Sequence, residues 1–450
     1  MKQSNMVKNL GFSCIIAAFF TIEVQAQDTL RLDFRQAVDL ALEANVDYQL
    51  QSNNLEVLEV AKKSAFLSHF PNANINSSFS QQSGQQFQQI EGEIVVTNVK
   101  NEVVNAGLNM NMPLFNSGRR ILDTQSAKLA LEAGEKGLER ANQQIVFDVA
   151  QRYLQVLLDQ ELLRISQENL ENQKEQLRQI EGFAEAGLRT ISDQYNQQSE
   201  VARLESVAVD AELQLQNDLW RLSEYLQLEP GVMPLLQAVD PRSESLRFSD
   251  MGMPELYDLA QRNRVDRVQQ ELLVDSFQKD MKAIKAMYYP RIGAFYNYNT
   301  FFTSLDDRNL QDQLLKVYPQ NTIGLNLSIP IFNNFQNKLE VTRSKVAYKN
   351  QVLQKESVDR QIYQDVKLAH QNYLAALKKH KNTDVQVLAA LEAKNAVSER
   401  FRLGISNFVD LATANQQLVA AQADQAQAIY TLFFQDVLMQ YALGTLEIVD

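Results

Sequence analysis

Apolar positions along this chain follow two periods, and the order in which the periods alternate is used twice. Ala37, Leu40, Ala41 and Ala44 stand at helical spacing and predict a helix from Asp33 to about His69. A second such stretch runs from about Pro254 to Tyr288. After each, the period drops to two. Leu108, Met110 and Met112 alternate with Asn109 and Asn111; Ile323, Leu325, Leu327 and Ile329 alternate with Gly324, Asn326 and Ser328. That alternation predicts strands at about 72–80 and 104–112, and again at about 291–301 and 321–329. Polar segments 81–102 and 303–319 read as the loops inside each strand pair.

The helical period then returns for long stretches. No proline occurs from Leu114 to Glu229 or from Ile331 to Asp450. A proline inside a helix costs about 3 kcal/mol, so its absence over such runs is informative. Val149, Val156, Leu163, Leu170 and Leu177 repeat every seven residues, and Ile362, Val366, Ala369, Tyr373 and Ala376 alternate steps of four and three. These are coiled-coil seams. They predict long helices at about 119–182 and 337–399. The first would span roughly 95 Å at 1.5 Å per residue.

Each long helix meets the same interruption. G187-L-R-T-I-S-D193 and G404-I-S-N-F-V-D410 are a glycine, five residues and an aspartate, 217 positions apart. A glycine C-cap followed by a capping box, Thr190 to Asp193, reverses the chain into a returning helix. Asn407 to Asp410 resembles a second such box. The returning helices are predicted at 188–226 and 405–442. Met112-Pro113-Leu114-Phe115-Asn116 recurs as Ile329-Pro330-Ile331-Phe332-Asn333 at the same offset, and Phe70-Pro71 matches Tyr289-Pro290 at 219. A period above 200 is no solenoid. It is a duplicated unit, residues 27–228 and 254–450, joined by a proline-rich connector at 229–253.

Composition refines this picture. Gly (15) and Pro (9) are scarce in 450 residues and aromatics are 8%, which favours long helices. The net charge of −12 argues against a nucleic-acid partner, which needs a cationic surface. Residues 1–26 read as a cleaved signal peptide. Lys2 and Lys8 precede the apolar run Leu10 to Ile22, and Val24-Gln25-Ala26 ends in a small residue. The single cysteine, Cys14, lies inside that run, so the mature chain has no thiol chemistry. His69, His370 and His380 are the only histidines and read as structural or surface residues. No phosphate-cradling glycine loop occurs. No catalytic residue, cofactor or metal is expected.

The strands raise the question of membrane contact. Apolar and polar faces in alternation suit a membrane barrel as well as a half-buried soluble sheet. All four strands abut a proline (Pro71, Pro113, Pro290 or Pro330) and aromatics such as Phe70, Phe115, Tyr289 and Phe332, as an interfacial girdle would. Four strands cannot close a barrel, because the smallest membrane barrels have about 8, so several chains must pool theirs. A soluble periplasmic coiled-coil scaffold without pore activity is the alternative. It explains the helices and leader but not the strands.

The order of parts resembles the outer membrane efflux protein family, the TolC-type channels. The likeness rests on the duplicated plan, on Leu32-Asp33-Phe34-Arg35-Gln36-Ala37-Val38, the two Pro-Leu/Ile-Phe corners, the two reversals and the closing Ala442-Leu443-Gly444-Thr445-Leu446. It implies a mainly α protein with a membrane β-barrel: a homotrimer pooling twelve strands in outer membrane lipid, above a long α-helical coiled-coil barrel in the periplasm. The implied function is a passive exit duct for small molecules or proteins, in tripartite efflux or type I secretion. The implied partners are a periplasmic adaptor and an inner-membrane transporter.

The resemblance also implies a periplasmic gate. Asp410 falls on the first acidic ring position and Thr413 on the second, which is no longer acidic. Phe401 and Ser406 stand where the type member has the tyrosine and arginine that hold the closed state, and Asp193 matches their aspartate partner. Arg189, Arg400 and Arg402 are the candidate substitutes, and the sequence does not choose among them. Asp193 and Asp410 also read as plain helix caps. The tips Ala186-Gly187-Leu188 and Leu403-Gly404-Ile405 would receive the adaptor.

Overall fold

The protein was analysed as a computed structural model that describes residues 29–90, 92–238 and 247–446. The expected leader with Cys14, and part of the connector including Pro241, lie outside the described residues.

The first half begins with a short strand, β1 (Thr29–Leu32), then α1 (Phe34–Ala44) and α2 (Val46–Leu67). Asp33 opens α1 with a reciprocal capping box to Gln36. Two strands follow, β2 (Asn72–Ile90) and β3 (Glu93–Phe115), then α3 (Arg119–Glu185) and α4 (Ile191–Tyr225). The second half repeats the plan with β4 (Met233–Leu236), α5 (Met253–Asn263), α6 (Val265–Lys285), β5 (Arg291–Thr303), the single turn α7 (Leu310–Asp312), β6 (Gln320–Ser328), α8 (Gln336–Arg402) and α9 (Phe408–Leu443). Both long helices contain 67 residues, and their ends are offset by 217.

Three expectations are corrected. The helix before each strand pair is broken. Asn45 and Arg264, 219 positions apart, take extended backbone (ψ 115° and 109°) and so end one helix while opening the next. At the first break the Asn45 side chain accepts from Tyr48 N at 2.9 Å. At the second, buried Arg264 donates to Asp266 and to the carbonyl of Ala442, near the end of α9. Gly444 closes α9 at φ 74°, and a side chain there would strike the backbone of Asn263 and Arg264.

Segment 81–102 is not a loop. β2 and β3 stay paired up to Ile90 and Glu93, so a two-stranded ribbon continues beyond the four-stranded sheet. Ladder hydrogen bonds satisfy its backbone whatever its polarity, and polarity alone misread it.

Segment 304–319 is folded back. Fully buried Gln313 donates to the carbonyls of Thr303, Asp306 and Arg308 and accepts from Thr303 N. It thereby covers the part of β5 that β6 does not reach.

β1 and β4 form a small parallel sheet that the sequence reading missed. Tyr153 ties it to α3, donating to the carbonyls of Leu32 and Gln237. Of four buried clusters among the described residues two are large, and the first includes Leu32 and Leu236 of this sheet. Ala37, Tyr153 and Leu222 centre one; Leu256, Tyr373 and Met439 centre the other. The seam Ile362 to Ala376 is buried throughout. In α3, Val149 and Val156 are buried, but nearer the tip the buried positions become Ile165, Gln173 and Ile180. A helix at 3.6 residues per turn drifts away from a strict seven-residue repeat, so the buried stripe shifts.

Candidate functional site

The two reversals are built alike. Gly187 (φ 73°) and Gly404 (φ 74°) take the left-handed conformation. Gly187 N donates to Ala184 O at 3.0 Å and Leu188 N to Phe183 O at 2.8 Å; Gly404 N donates to Phe401 O and Ile405 N to Arg400 O. This is the Schellman pattern, which satisfies carbonyls at a helix end. A Cβ added at either glycine would meet no atom within 4 Å, so backbone conformation alone requires them. Leu188, Leu403 and Ile405 stand exposed around the two turns.

The expected gate residues are only partly brought together. Phe401 is buried with Ile180 and Leu411. Arg189, from the other reversal, donates to the Phe401 carbonyl and places its guanidinium 3.9 Å from the Phe401 ring centre. Of the three candidate arginines it is the one that bridges the reversals. Arg402 turns to Glu399 in its own helix at 2.6 Å. Asp193 stays in its own cap, exchanging bonds with Thr190. Asp410 lies exposed on the first turn of α9 with Thr413 on the next. Asn407 Oδ1 caps Asp410 N at 2.9 Å, but the reciprocal bond of a capping box is replaced. The Asp410 carboxylate accepts from Ser406 Oγ at 2.8 Å instead.

One buried pair went unsingled in the sequence, where carboxylates crowd every helix. Asp159 of α3 and Asp218 of α4 are 3% and 6% exposed. Asp218 accepts from Gln214 at 2.7 Å and Arg221 at 2.8 Å, while one Asp159 oxygen finds no donor. Burial, and then the hydrogen bond and charge of Asp218, push the Asp159 carboxyl up to about 7.

The sheet supplies the second feature. Its order is β2-β3-β5-β6, all antiparallel. One face carries Ile75, Phe79, Ile323, Leu325 and Leu327, from 64% to 84% exposed. The opposite face is mostly asparagine, serine, threonine and glycine. Pro71 and Pro290 immediately precede strands and Pro330 follows one; Pro113 lies within β3 beside a break in register. Around these corners Phe66, Phe70, Phe115, Tyr289, Phe332 and Phe335 are all more than half exposed. Consecutive left-handed residues turn each strand into its long helix, Ser117-Gly118 in one half and Asn334-Phe335 in the other. No helix among the described residues is long and apolar enough to cross a membrane.

Comparison with known proteins agrees with this architecture. The profile of the outer membrane efflux proteins matches residues 37–226 and 256–442. The chain is 22% identical over 354 residues to the outer membrane protein TolC of Vibrio cholerae, covering 77% of this chain and 78% of that protein. It is 28% identical over 239 residues to the pyoverdine export outer membrane protein OpmQ of Pseudomonas aeruginosa, covering 53% and 48% respectively. The solved structure of CusC, described as forming a transmembrane channel, superposes with a TM-score of 0.78 at 17% identity, covering 92% of this chain and 93% of that one. That last likeness concerns the fold. With two matched segments that correspond to its two structural halves, the chain belongs to the outer membrane efflux protein family.

Proposed function

We propose that three copies of this chain assemble into an outer membrane exit duct, with twelve pooled strands in the lipid and the helices as a periplasmic tunnel. One observation carries the reading. The sheet is open at β2 and β6, and its apolar face stands bare in the single chain. An unpaired edge is not tolerated in lipid, and four strands enclose nothing. A soluble scaffold would leave that face in water, where large apolar patches are unfavourable.

The duct performs no chemistry. Transport is driven by an inner-membrane transporter and coupled through a periplasmic adaptor, for which the exposed Leu188, Leu403 and Ile405 offer apolar contacts at the tips. Its cargo is small molecules or proteins, as efflux or type I secretion supplies them. Residues 1–26 direct export and are removed. The corners at Pro71, Pro113, Pro290 and Pro330 set the inner boundary of the lipid. Asp410 rings the periplasmic opening, Thr413 relaxes the second ring, and Arg189 on Phe401 holds the tip closed.

The test is mass in detergent combined with conductance in a planar bilayer. The expected result is three chains per particle and discrete channel currents. A particle that is one polypeptide and still passes ions would overturn the proposal.

A further inference from the structure

The polar face of the sheet has a composition of its own. Over the strand positions that alternate with the apolar face, β2 gives Asn72, Asn74, Asn76, Ser78 and Ser80. On the same face β3 contributes Asn105, Asn109 and Asn111, and β5 contributes Asn297 and Asn299. From Asn72 to Ser80, Val103 to Asn111, Arg291 to Phe301 and Gln320 to Ser328, the one ionisable residue on this face is Arg291, the first residue of β5, opposite Ser328. The registers align these positions in rows. Asn74 pairs with Asn109, Asn109 with Asn297, and Asn297 with Thr322.

Glycines on the same face shape its relief. A side chain at Gly107 would come within 2.7 Å of the Asn299 amide oxygen, one at Gly293 within 2.5 Å of that of Asn326, and one at Gly324 within 2.5 Å of the Phe295 ring. Each glycine therefore gives its cross-strand neighbour room to lie flat against the wall. Beyond the strands, four of the five charged residues of segment 304–319 are paired, Asp306 with Arg308 at 2.5 Å and Asp312 with Lys316 at 2.7 Å, and Asp307 is exposed.

We propose that, beyond the row of Arg291 at its start, this face lines the barrel bore as a neutral, low-relief amide sleeve, which passes polar solutes of either charge and leaves charge selection to Arg291 and the helical end. The inference rests on the trimeric barrel reading above. Amides donate and accept equally, so they replace part of the hydration of a cation or an anion without favouring either. A bore with a ring of carboxylates or guanidiniums would instead concentrate one sign.

Cys14 is the only cysteine of the chain and falls in the leader expected to be removed, so single cysteines report locally. In the bilayer-reconstituted full protein, Asn109→Cys is treated with a cationic and an anionic methanethiosulfonate reagent. The expected ratio of their rates, corrected for the ratio on a small free thiol, lies within about threefold of one. Adding Asn297→Asp, which pairs with position 109, is expected to raise the cationic preference roughly tenfold, as a unit charge about 5 Å away would. A tenfold preference for either sign without that added charge would overturn the neutral sleeve, as would an Asn297→Asp change that leaves the ratio unmoved. Leu108→Cys, on the other face, is expected to resist both reagents. If it reacts as fast as Asn109→Cys, the barrel reading falls and the sleeve with it.

Discussion

The guanidinium of Arg189 lies 3.9 Å from the centre of the Phe401 ring and donates to the Phe401 carbonyl, joining the two helix reversals of one chain. Arg189 follows Gly187 in the first reversal, and Phe401 precedes Gly404 in the second. A cation over an aromatic face is worth roughly 0.5–2 kcal/mol, and the hydrogen bond from a charged donor adds about 1.5–3. The clamp uses no carboxylate, so it is insensitive to carboxylate protonation.

Arg189→Ala is therefore expected to loosen the tip and raise single-channel conductance several-fold. Arg189→Lys should fall between, because it keeps the charge and loses the planar stack. Wild-type conductance in Arg189→Ala would exclude the clamp.

Gly404→Val forces a β-branched residue to φ 74°, a cost on the order of 1–3 kcal/mol. Gly404→Asn tolerates that conformation better. Since no atom crowds the site, the two variants separate backbone strain from contact. Impaired efflux or assembly is expected for valine and near-normal behaviour for asparagine, read by complementation and trimer yield. Full function of the valine variant would refute the reversal as a constrained element.

Asp410 is exposed, and its carboxylate is oriented by Ser406 Oγ at 2.8 Å. In a threefold ring it would attract cations. Asp410→Ala is expected to shift the reversal potential under a salt gradient toward zero. Unchanged selectivity and conductance would remove its gate role.

Asp159 makes the packing of α4 on α3 dependent on pH. Its carboxyl titrates near 7 in the fold and near 4 in the unfolded chain. Between those values the folded protein holds a proton that the unfolded chain has released, so stability falls as pH rises through this window. Asp159→Asn should flatten the slope by up to about 1.4 kcal/mol per pH unit. The check is chemical denaturation from pH 5 to pH 8, and parallel slopes for wild type and variant would contradict the assignment.

The sequence carried much of this fold because its signals are local. A glycine that must adopt positive φ is a glycine wherever it stands, so both reversals could be placed to within a few residues. Proline-free heptads marked α3 and α8, and alternation marked which strand residues share a face. The breaks at Asn45 and Arg264 were hidden, since neither residue is a helix breaker. Arg264 leaves the helix where its guanidinium meets Asp266, two residues on, and the carbonyl of Ala442, 178 residues away. The ribbon beyond residue 80 was hidden by its glutamines, which conceal the alternation that a strand presents.

What the sequence determined alone was the duplicated order of elements, the two-faced strands and the places where the chain must turn, all set by side-chain spacing and backbone permission. What tertiary structure decided was which arginine meets Phe401, which aspartate keeps its proton, and how the asparagine rows come into register. Those outcomes depend on groups as much as 212 residues apart being packed within a few ångströms, and no local spacing specifies that.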